Sequence, residues 1–549
     1  MPKSEKFSLH LFKPGTAAVE VLSENFREKL TSGEVSRMTR LAGSAVEMEG
    51  FFTNSFPKEP MWFSTLRTTF EIPEKKGSSP ASIVTFVAKE RRFALTFGYG
   101  ASLLNDQTKV HDFGILVAMN LLSASGLKTI QRSSLIDAKN SAMQSVSAST
   151  YESFGGLRSF ELLKRVAGPV SNDPTMLQAV GSSSLSFASK KPLSEVPDVA
   201  ERALDLYAAI DYQSTAFADY DHLKPVVDPI QIRELKQQTA DLLCTADSGF
   251  ELGFPAFLSG EASYTKLQGR GMKGEKPDIS VAVYREALGP AAAVIHPEHL
   301  DQDYVLVFSD DHRMLGRKSI YRCLVGGLQD KHGVQHVISE GQWYVPSDAI
   351  RVAAQDYFDR HVREEDKSLP SWNARTVIKT SKKGKKTHAL SYEAEEVYNT
   401  RAAASSGYLL LDQKWFGGAD RAFSKLEACD LFDPEGLRFI HVKRTGRSPS
   451  STAYLFEQGR RSAELLADDR VRGDFADILE KEGHPKTAAK IRAMAREDFI
   501  VEFVIADMPN DDGRMTVPFL AKLAFAESTK FIESLGFKSQ LRFIPLPRP

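Results

Sequence analysis

The final third of the chain carries the pattern that most restricts its fold. A helix is predicted over 392–404, followed by strands over 408–411, 425–431 and 437–443, and then by a second helix that starts near Ser450. The strands are short and apolar, and polar residues interrupt them at only a few positions. These polar positions are therefore the candidates for chemistry.

The remaining elements of 391–549 extend this pattern. Helices are predicted over 485–496 and 518–535, and strands over 499–506 and 541–544. The resulting order, αβββ-α-α-β-α-β, contains the α-β-β-β-α-β core of the restriction-endonuclease-like fold with one further αβ pair. We therefore predict a restriction-endonuclease-like domain over 391–549.

An acid on one strand and a polar-x-Lys on the next correspond to the arrangement of PD-(D/E)xK nucleases. Asp430 takes the place of the acid, and His441 and Lys443 take the place of polar-x-Lys. A bound Mg²⁺ would polarise a phosphate and activate a water, and a lysine would stabilise the negative charge that develops. We expect Asp430 to bind the metal and Lys443 to act on the phosphate; the alternative is an ordinary Asp430–Lys443 ion pair.

His441 stands where such nucleases usually have a carboxylate. Imidazole is a poor ligand for Mg²⁺ and suits Mn²⁺ or other transition metals better. Either the site takes such a metal or another acid substitutes, so Mg²⁺ or Mn²⁺ is the predicted cofactor. The acids available are Glu427, Asp412, Glu393, Glu395 and Glu396, of which Glu427 and Asp412 join Asp430 as predicted ligands. Alternatively, His441 is a hydrogen-bonded histidine at a domain seam.

Two further expectations concern this site. Glu427 and Asp430 are an odd number of positions apart, so a regular strand would point them to opposite faces. Gln458, near the start of the second helix, could contact DNA or the metal's water, or could be an ordinary polar residue of the helix.

Lysine and arginine contacts to phosphate supply sequence-independent affinity for nucleic acid. The candidates for that role are Lys382, Lys383, Lys385, Lys386, Arg444, Arg460 and Arg461.

The length of 549 residues implies several domains, about two to four, of α/β and α+β class. The predicted units are an N-terminal α/β domain (1–165), a mainly helical segment (166–245), a β-rich middle domain (246–361), a basic linker (362–390) and the nuclease-like domain (391–549).

Composition bounds the class of protein. The formal net charge is −1, so any affinity for nucleic acid must come from a local basic patch. The three cysteines are far apart, which argues against a disulfide framework and a cysteine zinc site. The N-terminal residues show no signal peptide, and no apolar run is long enough to span a membrane. We expect a cytoplasmic protein with no membrane partner.

Over nearly its whole length the chain resembles the bacterial "sporadically distributed protein" family, a domain of unknown function. The segments that carry the resemblance are RFALTFGYG (92–100), DFG (112–114), NL (120–121), SEGQWY (339–344), YN (398–399), LD (411–412), EACDL (427–431), HVKR (441–444), LFEQG (455–459) and SAEL (462–465). The family tends to lie near restriction and other defence genes, which implies a role against phage or foreign DNA. It usually has a histidine where this chain has Tyr454, so any chemistry of that histidine would be altered here.

Two functions follow as expectations. The first is a bacterial anti-phage defence protein that binds DNA and cuts its phosphodiester bonds with a divalent metal, with RNA as another possible target. The second is a non-catalytic protein that senses DNA or a phage component, such as a phage protein, on a degenerate nuclease fold; the changes at His441 and Tyr454 favour it. A homo-oligomer is compatible with both.

Overall fold

The protein is a mixed α/β chain that contains several sheets. The structure, a computed structural model, describes residues 5–38, 47–58, 77–136, 139–170, 173, 175–245, 248–254, 262–270, 272, 275–276, 279–310, 312, 314–363, 369–380, 386–412, 427–444, 449–493, 495–509 and 513–547. No helix within these residues is both long and apolar enough to cross a bilayer.

The first region is a large antiparallel sheet with the order β2-β3-β4-β5-β1-β10-β9-β8-β6-β7. Its strands are β1 (Glu5–Leu11), β2 (Ser36–Met38), β3 (Met48–Lys58), β4 (Gly77–Ala88), β5 (Arg91–Gly98), β6 (Leu127–Ser134), β7 (Asn140–Ser149), β8 (Glu161–Pro169), β9 (Gln178–Gly181) and β10 (Leu185–Ser189). Its helices are α1 (Glu24–Thr31), α2 (Phe113–Leu121) and α3 (Val196–Ala208), with 3₁₀ turns at Ala18–Val21, Gly100–Leu103, Glu152–Phe154, Leu193–Glu195, Asp211–Ser214 and Ala216–His222. The apolar residues of α2 and α3 pack with the sheet into one core.

The predicted boundary at residue 165 falls inside β8, so the first sheet continues to Ser189. The mainly helical character predicted for 166–245 holds only after β10, because β10 pairs with β1. That pairing joins residues about 180 positions apart, which local periodicity cannot reveal. The predicted hairpin at 83–97 is present as β4 and β5, and its turn places Lys89 and Glu90 at φ of 46° and 60°.

The middle region holds two antiparallel sheets, β11-β19-β18-β17-β12 and β14-β13-β15-β16. Their strands are β11 (Leu223–Pro225), β12 (Phe250–Leu252), β13 (Ala262–Gln268), β14 (Glu275–Lys276), β15 (Tyr304–Ser309), β16 (Met314–Ser319), β17 (Leu324–Gln329), β18 (Gln335–Ser339) and β19 (Gln342–Pro346). The helices are α4 (Pro229–Leu243), α5 (Val281–Leu288), α6 (Pro297–Gln302), α7 (Ile320–Cys323) and α8 (Asp348–His361), with a 3₁₀ turn at Gly289–Ala293. The predicted strand over 319–328 is wrong in its first half, where α7 buries Ile320 and Cys323 instead.

The segment predicted as a linker, 362–390, has structure of its own. Val362 forms a parallel bridge to Leu541 in the last sheet. Further on, β20 (Ala374–Thr380) and β21 (Lys386–Tyr392) pair as an antiparallel hairpin. Trp372 stacks on Tyr398 of the following helix, with ring centroids 4.1 Å apart, and fixes the base of this hairpin.

The last region is a five-stranded sheet whose strands follow chain order: β22 (Leu409–Leu410), β23 (Leu431–Asp433), β24 (Arg438–Arg444), β25 (Ile500–Asp507) and β26 (Lys538–Pro545). The first three strands are antiparallel, and β24, β25 and β26 are parallel. Helix α9 (Glu395–Ser406) precedes the sheet; α10 (Pro449–Ala467), α11 (Asp469–Lys481) and α12 (Pro485–Arg492) connect β24 to β25 with a 3₁₀ turn at Arg496–Asp498, and α13 (Phe519–Ser534) connects β25 to β26. The predicted order of elements is therefore present, with one further helix, α11, that was not predicted.

Apolar side chains from all three regions share one core. Leu162 of the first sheet and Phe358 of α8 are buried in the same cluster as Phe503, Phe525 and Leu541 of the last region. Gly459 lets α10 lie close to the sheet, since a Cβ there would come within 2.4 Å of the Phe503 ring. This packing fixes the position of α10 over the start of β23, where the candidate site lies.

Candidate metal centre

The acidic residues predicted as metal ligands lie at the start of β23. The predicted strand over 425–431 is wrong in position, because the regular strand begins only at Leu431. The Asp430 carbonyl oxygen accepts hydrogen bonds from the backbone N–H groups of Leu411 (2.9 Å) and Asp412 (3.0 Å), and the Asp430 N–H donates to Ile440. These bonds hold the end of β22 against the start of β23.

Three carboxylates converge there. One ligand atom each of Asp412, Glu427 and Asp430 lies within 4.8 Å of the others. The expectation that Glu427 and Asp430 face opposite ways is wrong, because residues 427–430 form a bridge and bends rather than a regular strand. The alternation of side chains applies only where the backbone is regularly pleated.

The carboxylates of Asp412 and Asp430, and the backbone of Glu427, are positioned by polar contacts from three different elements. The Asp430 Oδ2 accepts a 2.6 Å hydrogen bond from the backbone N–H of Val442 on β24. The Asp412 Oδ2 accepts a 3.1 Å bond from Asn399 Nδ2 on α9. Ser462 Oγ on α10 donates to the Glu427 carbonyl oxygen at 3.2 Å. Sheet and both flanking helices thus converge on the cluster.

Asn399 has a buried oxygen without a partner. The residue is only 2 % exposed, and its Oδ1 has no hydrogen-bond partner, while its Nδ2 contacts Asp412. A buried amide oxygen without a hydrogen bond is costly. Because the amide end is directed at the carboxylates, its free oxygen is available to a cation or to a metal-bound water.

The electrostatics of the cluster show an excess of negative charge. Burial raises the pKa of Asp430 to about 7; the Val442 hydrogen bond opposes the rise, and the charges of Asp412, Glu427 and Glu395 add to it. Carboxylates held close together in a partly buried site raise each other's pKa in this way unless a cation compensates them.

Lys443 pairs with Glu395 and not with Asp430, contrary to the alternative of an ordinary Asp430–Lys443 ion pair. Its Nζ lies 2.8 Å from Glu395 Oε2 on the first turn of α9. The other Glu395 oxygen accepts the backbone N–H of Arg444 at 3.3 Å. Glu395 is therefore the residue that links the lysine to the acidic cluster, since its charge acts on Asp430.

His441 is buried beneath α10 and is not a member of the carboxylate cluster. It is 3 % exposed, its ring centroid lies 6.0 Å from that of Phe503, and its Nε2 has no hydrogen-bond partner. Burial alone lowers its pKa to about 3, so it is neutral at physiological pH. Among the residues that the structure describes, the possible metal ligands that meet here are oxygen donors only.

The other predicted residues lie on α10 or at the end of β24. Gln458 is in the middle of α10 rather than near its start, and it is half-buried. Arg460 and Arg461 both pair with Glu457, at 3.5 Å and 3.3 Å, so their charges are partly neutralised.

Arg444 is exposed and lies over the ring of Tyr392. Tyr454, at the place where the resembling family has a histidine, is 60 % exposed on α10. Lys382, Lys383 and Lys385 lie outside the described residues, and only the backbone of Lys386 is described, in β21. Of the predicted cationic residues, Lys443 and Arg444 are thus the ones that contact Glu395 at this end of the sheet.

Sequence reasoning missed two residues that build the site. Asn399 and Ser462 are polar residues on the buried faces of α9 and α10, 2 % and 1 % exposed. Both lie in segments that carry the family resemblance, but nothing in their spacing connects them with Asp412 or Glu427. Glu395 was one of several acids considered, and only the fold selects it.

A family model matches the chain over residues 7–545, and its description is "Family of unknown function (DUF6119)". The chain belongs to this family. No curated protein and no solved structure matches it.

Proposed function

We propose that the chain is a metal-dependent phosphodiesterase of nucleic acid, with DNA as the first substrate and RNA as the second. The observation that carries the proposal is the convergence of Asp412, Glu427 and Asp430 on one point of the last sheet. The unpartnered buried oxygen of Asn399 beside Asp412 supports it independently.

The carboxylates fit a hard divalent cation. Mg²⁺ holds its oxygen ligands at about 2.0–2.1 Å and Ca²⁺ at about 2.3–2.6 Å, so opposite ligands of one ion are about 4–5 Å apart. The three oxygen atoms are within 4.8 Å of one another, which matches that span. Carboxylate, amide and water oxygens suit Mg²⁺, Ca²⁺ and Mn²⁺ rather than a thiol- or imidazole-preferring metal. A bound cation would polarise the phosphate and its water.

The topology supports the same proposal. A helix, three antiparallel strands, a helix and a parallel strand succeed each other in α9, β22, β23, β24, α10 and β25. This is the α-β-β-β-α-β order of the restriction-endonuclease-like core. In the proposal, Asp412, Glu427 and Asp430 hold the cation, Asn399 and Ser462 position them, and Lys443 approaches the phosphate after leaving Glu395. The role in anti-phage defence rests on the family resemblance alone.

The second candidate is a non-catalytic nucleic-acid or phage-component sensor on the same fold. Two observations favour it. Lys443 is engaged by Glu395 rather than by the acidic cluster, and His441 is buried against Phe503 rather than among the ligands. In this alternative the carboxylates bind a structural cation, and the protein recognises its partner without cutting it.

Cleavage assays separate the two candidates. Purified protein is incubated with supercoiled plasmid, linear DNA and RNA in Mg²⁺ or Mn²⁺, beside Asp430→Asn, Lys443→Ala and the control Glu464→Gln. Glu464 is an exposed acid of α10, so its substitution removes one carboxylate away from the cluster. Metal-dependent cutting that survives in Glu464→Gln and is lost in the other two supports the enzyme. Binding without cutting in all four proteins supports the sensor.

A further inference from the structure

A second group of charges lies at the seam between the first sheet and the middle region. The loop 104–112 of the first region contributes Asp106 and Lys109, and the middle region contributes Lys318 at the end of β16 and Arg322 on α7. Arg322 Nη1 lies 2.9 Å from Asp106 Oδ2, and Lys109 Nζ lies 3.3 Å from Asp106 Oδ1. The Asp106 carboxylate therefore pairs with two cationic side chains.

Lys318 adds a third positive charge. It forms no ion pair with any of the described residues, and its charge acts on both Asp106 and Lys109. The three cations and one carboxylate leave an excess of two positive charges in a partly enclosed place. Lys109 is only 8 % exposed, so water cannot fully solvate its charge. Cations brought together and withdrawn from water repel one another unless an anion joins them.

Two nitrogen atoms of this group are unused. The Nε–H donor of Arg322 is buried and has no hydrogen-bond partner, and Nδ1 of His10, a residue that is 4 % exposed, has none either. His10 lies close enough to Lys109 for that charge to act on it. His111 Nε2 donates to the Asp106 carbonyl oxygen at 2.9 Å and so holds the loop in place. The loop and the helix are thus pre-positioned around the excess charge.

The titration behaviour agrees with the geometry. Burial, followed by the charge of Lys109, lowers the pKa of His10 to about 3. Burial, followed by the charges of Arg322 and Lys109, lowers the pKa of His111 to about 4. Burial also lowers the pKa of Lys109, even though Asp106 opposes the shift. Burial is the largest cause of each shift, and the neighbouring cations act in the same direction.

We propose that this seam binds an oxyanion of the phosphate type between Lys318, Lys109 and Arg322. Guanidinium and ammonium groups around one point suit a tetrahedral anion, and arginine in particular offers paired donors to phosphate oxygens. The anion comes either from free inorganic phosphate or from the phosphate group of a nucleotide. Because its ligands belong to both regions, the bound anion holds the first sheet and the middle region together.

Thermal unfolding with added phosphate tests the proposal. Sodium phosphate raises the melting temperature of the wild type in a saturable way, beyond sodium chloride of matched ionic strength. Lys318→Gln weakens the affinity for phosphate about tenfold, as expected for the loss of one charge-assisted hydrogen bond. Asp106→Asn removes the competing carboxylate and strengthens the affinity by a similar factor. The control Lys331→Gln removes an exposed lysine of the same region, one that pairs with Glu234, and leaves phosphate binding unchanged.

A parallel titration with ADP identifies the source of the anion. Tighter binding of ADP than of phosphate indicates a nucleotide, and equal binding indicates the free anion. Equal shifts in all four proteins, or no shift beyond that of chloride, would overturn the site. The two variants are expected to change the affinity for phosphate in opposite directions, since Lys318→Gln lowers it and Asp106→Asn raises it. The test therefore remains valid even where one variant is less stable. The outcome is independent of whether the last region cuts nucleic acid.

Discussion

Two groups of acidic residues occupy the same five-stranded sheet and differ in their partners. Glu502 on β25 is fully buried, and its carboxylate receives Arg438 at 2.9 Å, Gln540 at 2.8 Å and also Arg542. Asp433 is served by the same Arg438, at 2.9 Å. Among the described residues, neither Asp412 nor Asp430 pairs with an arginine or a lysine; Asp412 contacts the Asn399 amide and Asp430 accepts the backbone N–H of Val442.

The difference separates a structural network from a candidate site. In the first group each acid is matched by side chains of neighbouring strands, so the sheet is complete without a ligand. In the second group Asp412 and Asp430 are positioned by an amide and a backbone N–H, and burial together with the charges of neighbouring acids raises the pKa of Asp430. Neither of these two acids pairs with a cationic side chain among the described residues, so the proposal places a bound cation beside them.

The largest effect is expected in the structural network. Glu502→Gln leaves Arg438 and Arg542 without their buried counter-charge, and breaking a buried pair in this way costs about 3–5 kcal/mol of unfolding free energy. Urea denaturation measures the loss. Arg461→Gln, which breaks an exposed pair with Glu457 on the same region, serves as the control and changes stability little. A loss no greater in Glu502→Gln than in the control would remove the distinction between the two groups.

The next effect concerns the cation. Mg²⁺ or Mn²⁺ at about a hundred times its dissociation constant stabilises the wild type by about 2.7 kcal/mol. Asp430→Asn abolishes this gain because it removes a ligand. In EDTA the same variant is more stable than the wild type by roughly 1–3 kcal/mol, since the repulsion among the three carboxylates falls.

Urea denaturation with and without metal measures both the stabilisation by metal and the difference in stability between Asp430→Asn and the wild type in EDTA. Glu464→Gln, which keeps the cluster intact, should respond to metal like the wild type. Equal metal responses in Asp430→Asn and the wild type would show that the cluster is merely an exposed acidic surface.

A smaller effect is expected at Asn399. Its amide orients Asp412 and presents a free oxygen to the site. Residues that orient metal ligands typically contribute about 10–100-fold to affinity. Asn399→Ala should weaken Mn²⁺ binding, followed by calorimetric titration, within that range, and Asn399→Asp should recover part of it because it restores an oxygen ligand. Unchanged affinity in Asn399→Ala would assign the residue to packing alone.

The sequence predicted those parts of the molecule that local patterns determine. The sequence predicts a strand over 304–309 and a helix over 349–361, and β15 and α8 match these ranges closely. The choice of Asp412, Glu427 and Asp430 also stands as a spatial group. What could not be predicted depends on contacts between distant residues. Lys443 meets Glu395 across 48 positions, and only the packing of α9 on the sheet brings them together.

Within the candidate site, too, local sequence patterns did not predict which way individual side chains point. The alternation of side chains along a strand predicts that Glu427 and Asp430 lie on opposite faces. This prediction is wrong because the backbone before Leu431 is not a regular strand. The motif places His441 two residues before Lys443, where PD-(D/E)xK nucleases have a carboxylate, and leaves open whether it binds a metal. The sheet instead turns its ring towards Phe503 and α10, because β24 is covered on that side by apolar residues of α10. The position of a residue in a motif therefore predicts where its backbone lies in a strand, but it does not predict which side chains surround it.

The smallest effect is a pH dependence at Glu393, an acid with partners that lies two residues before Glu395. Burial tends to raise the pKa of Glu393, but the hydrogen bonds and charge of Arg401 and the hydrogen bonds from Asn373 outweigh it and hold the pKa below the ordinary value of 4.5. The folded state thus binds the proton less readily than the unfolded state. The contribution of Glu393 is therefore fully present above pH 4.5 and is lost as the pH falls through the lower folded value.

The difference in unfolding free energy between the wild type and Glu393→Gln measures this contribution. It should be about 1 kcal/mol at neutral pH, as expected for hydrogen bonds to a charged group near the surface, and should shrink towards zero in acid. An acid that pairs with a cationic side chain and an acid whose described hydrogen bond comes from a backbone N–H are thereby distinguished by the sign of their pKa shifts, since that of Glu393 is lowered and that of Asp430 is raised. A difference that grows on acidification would show that Glu393, too, lacks a compensating charge, and the contrast between the two kinds of acid in this sheet would fail.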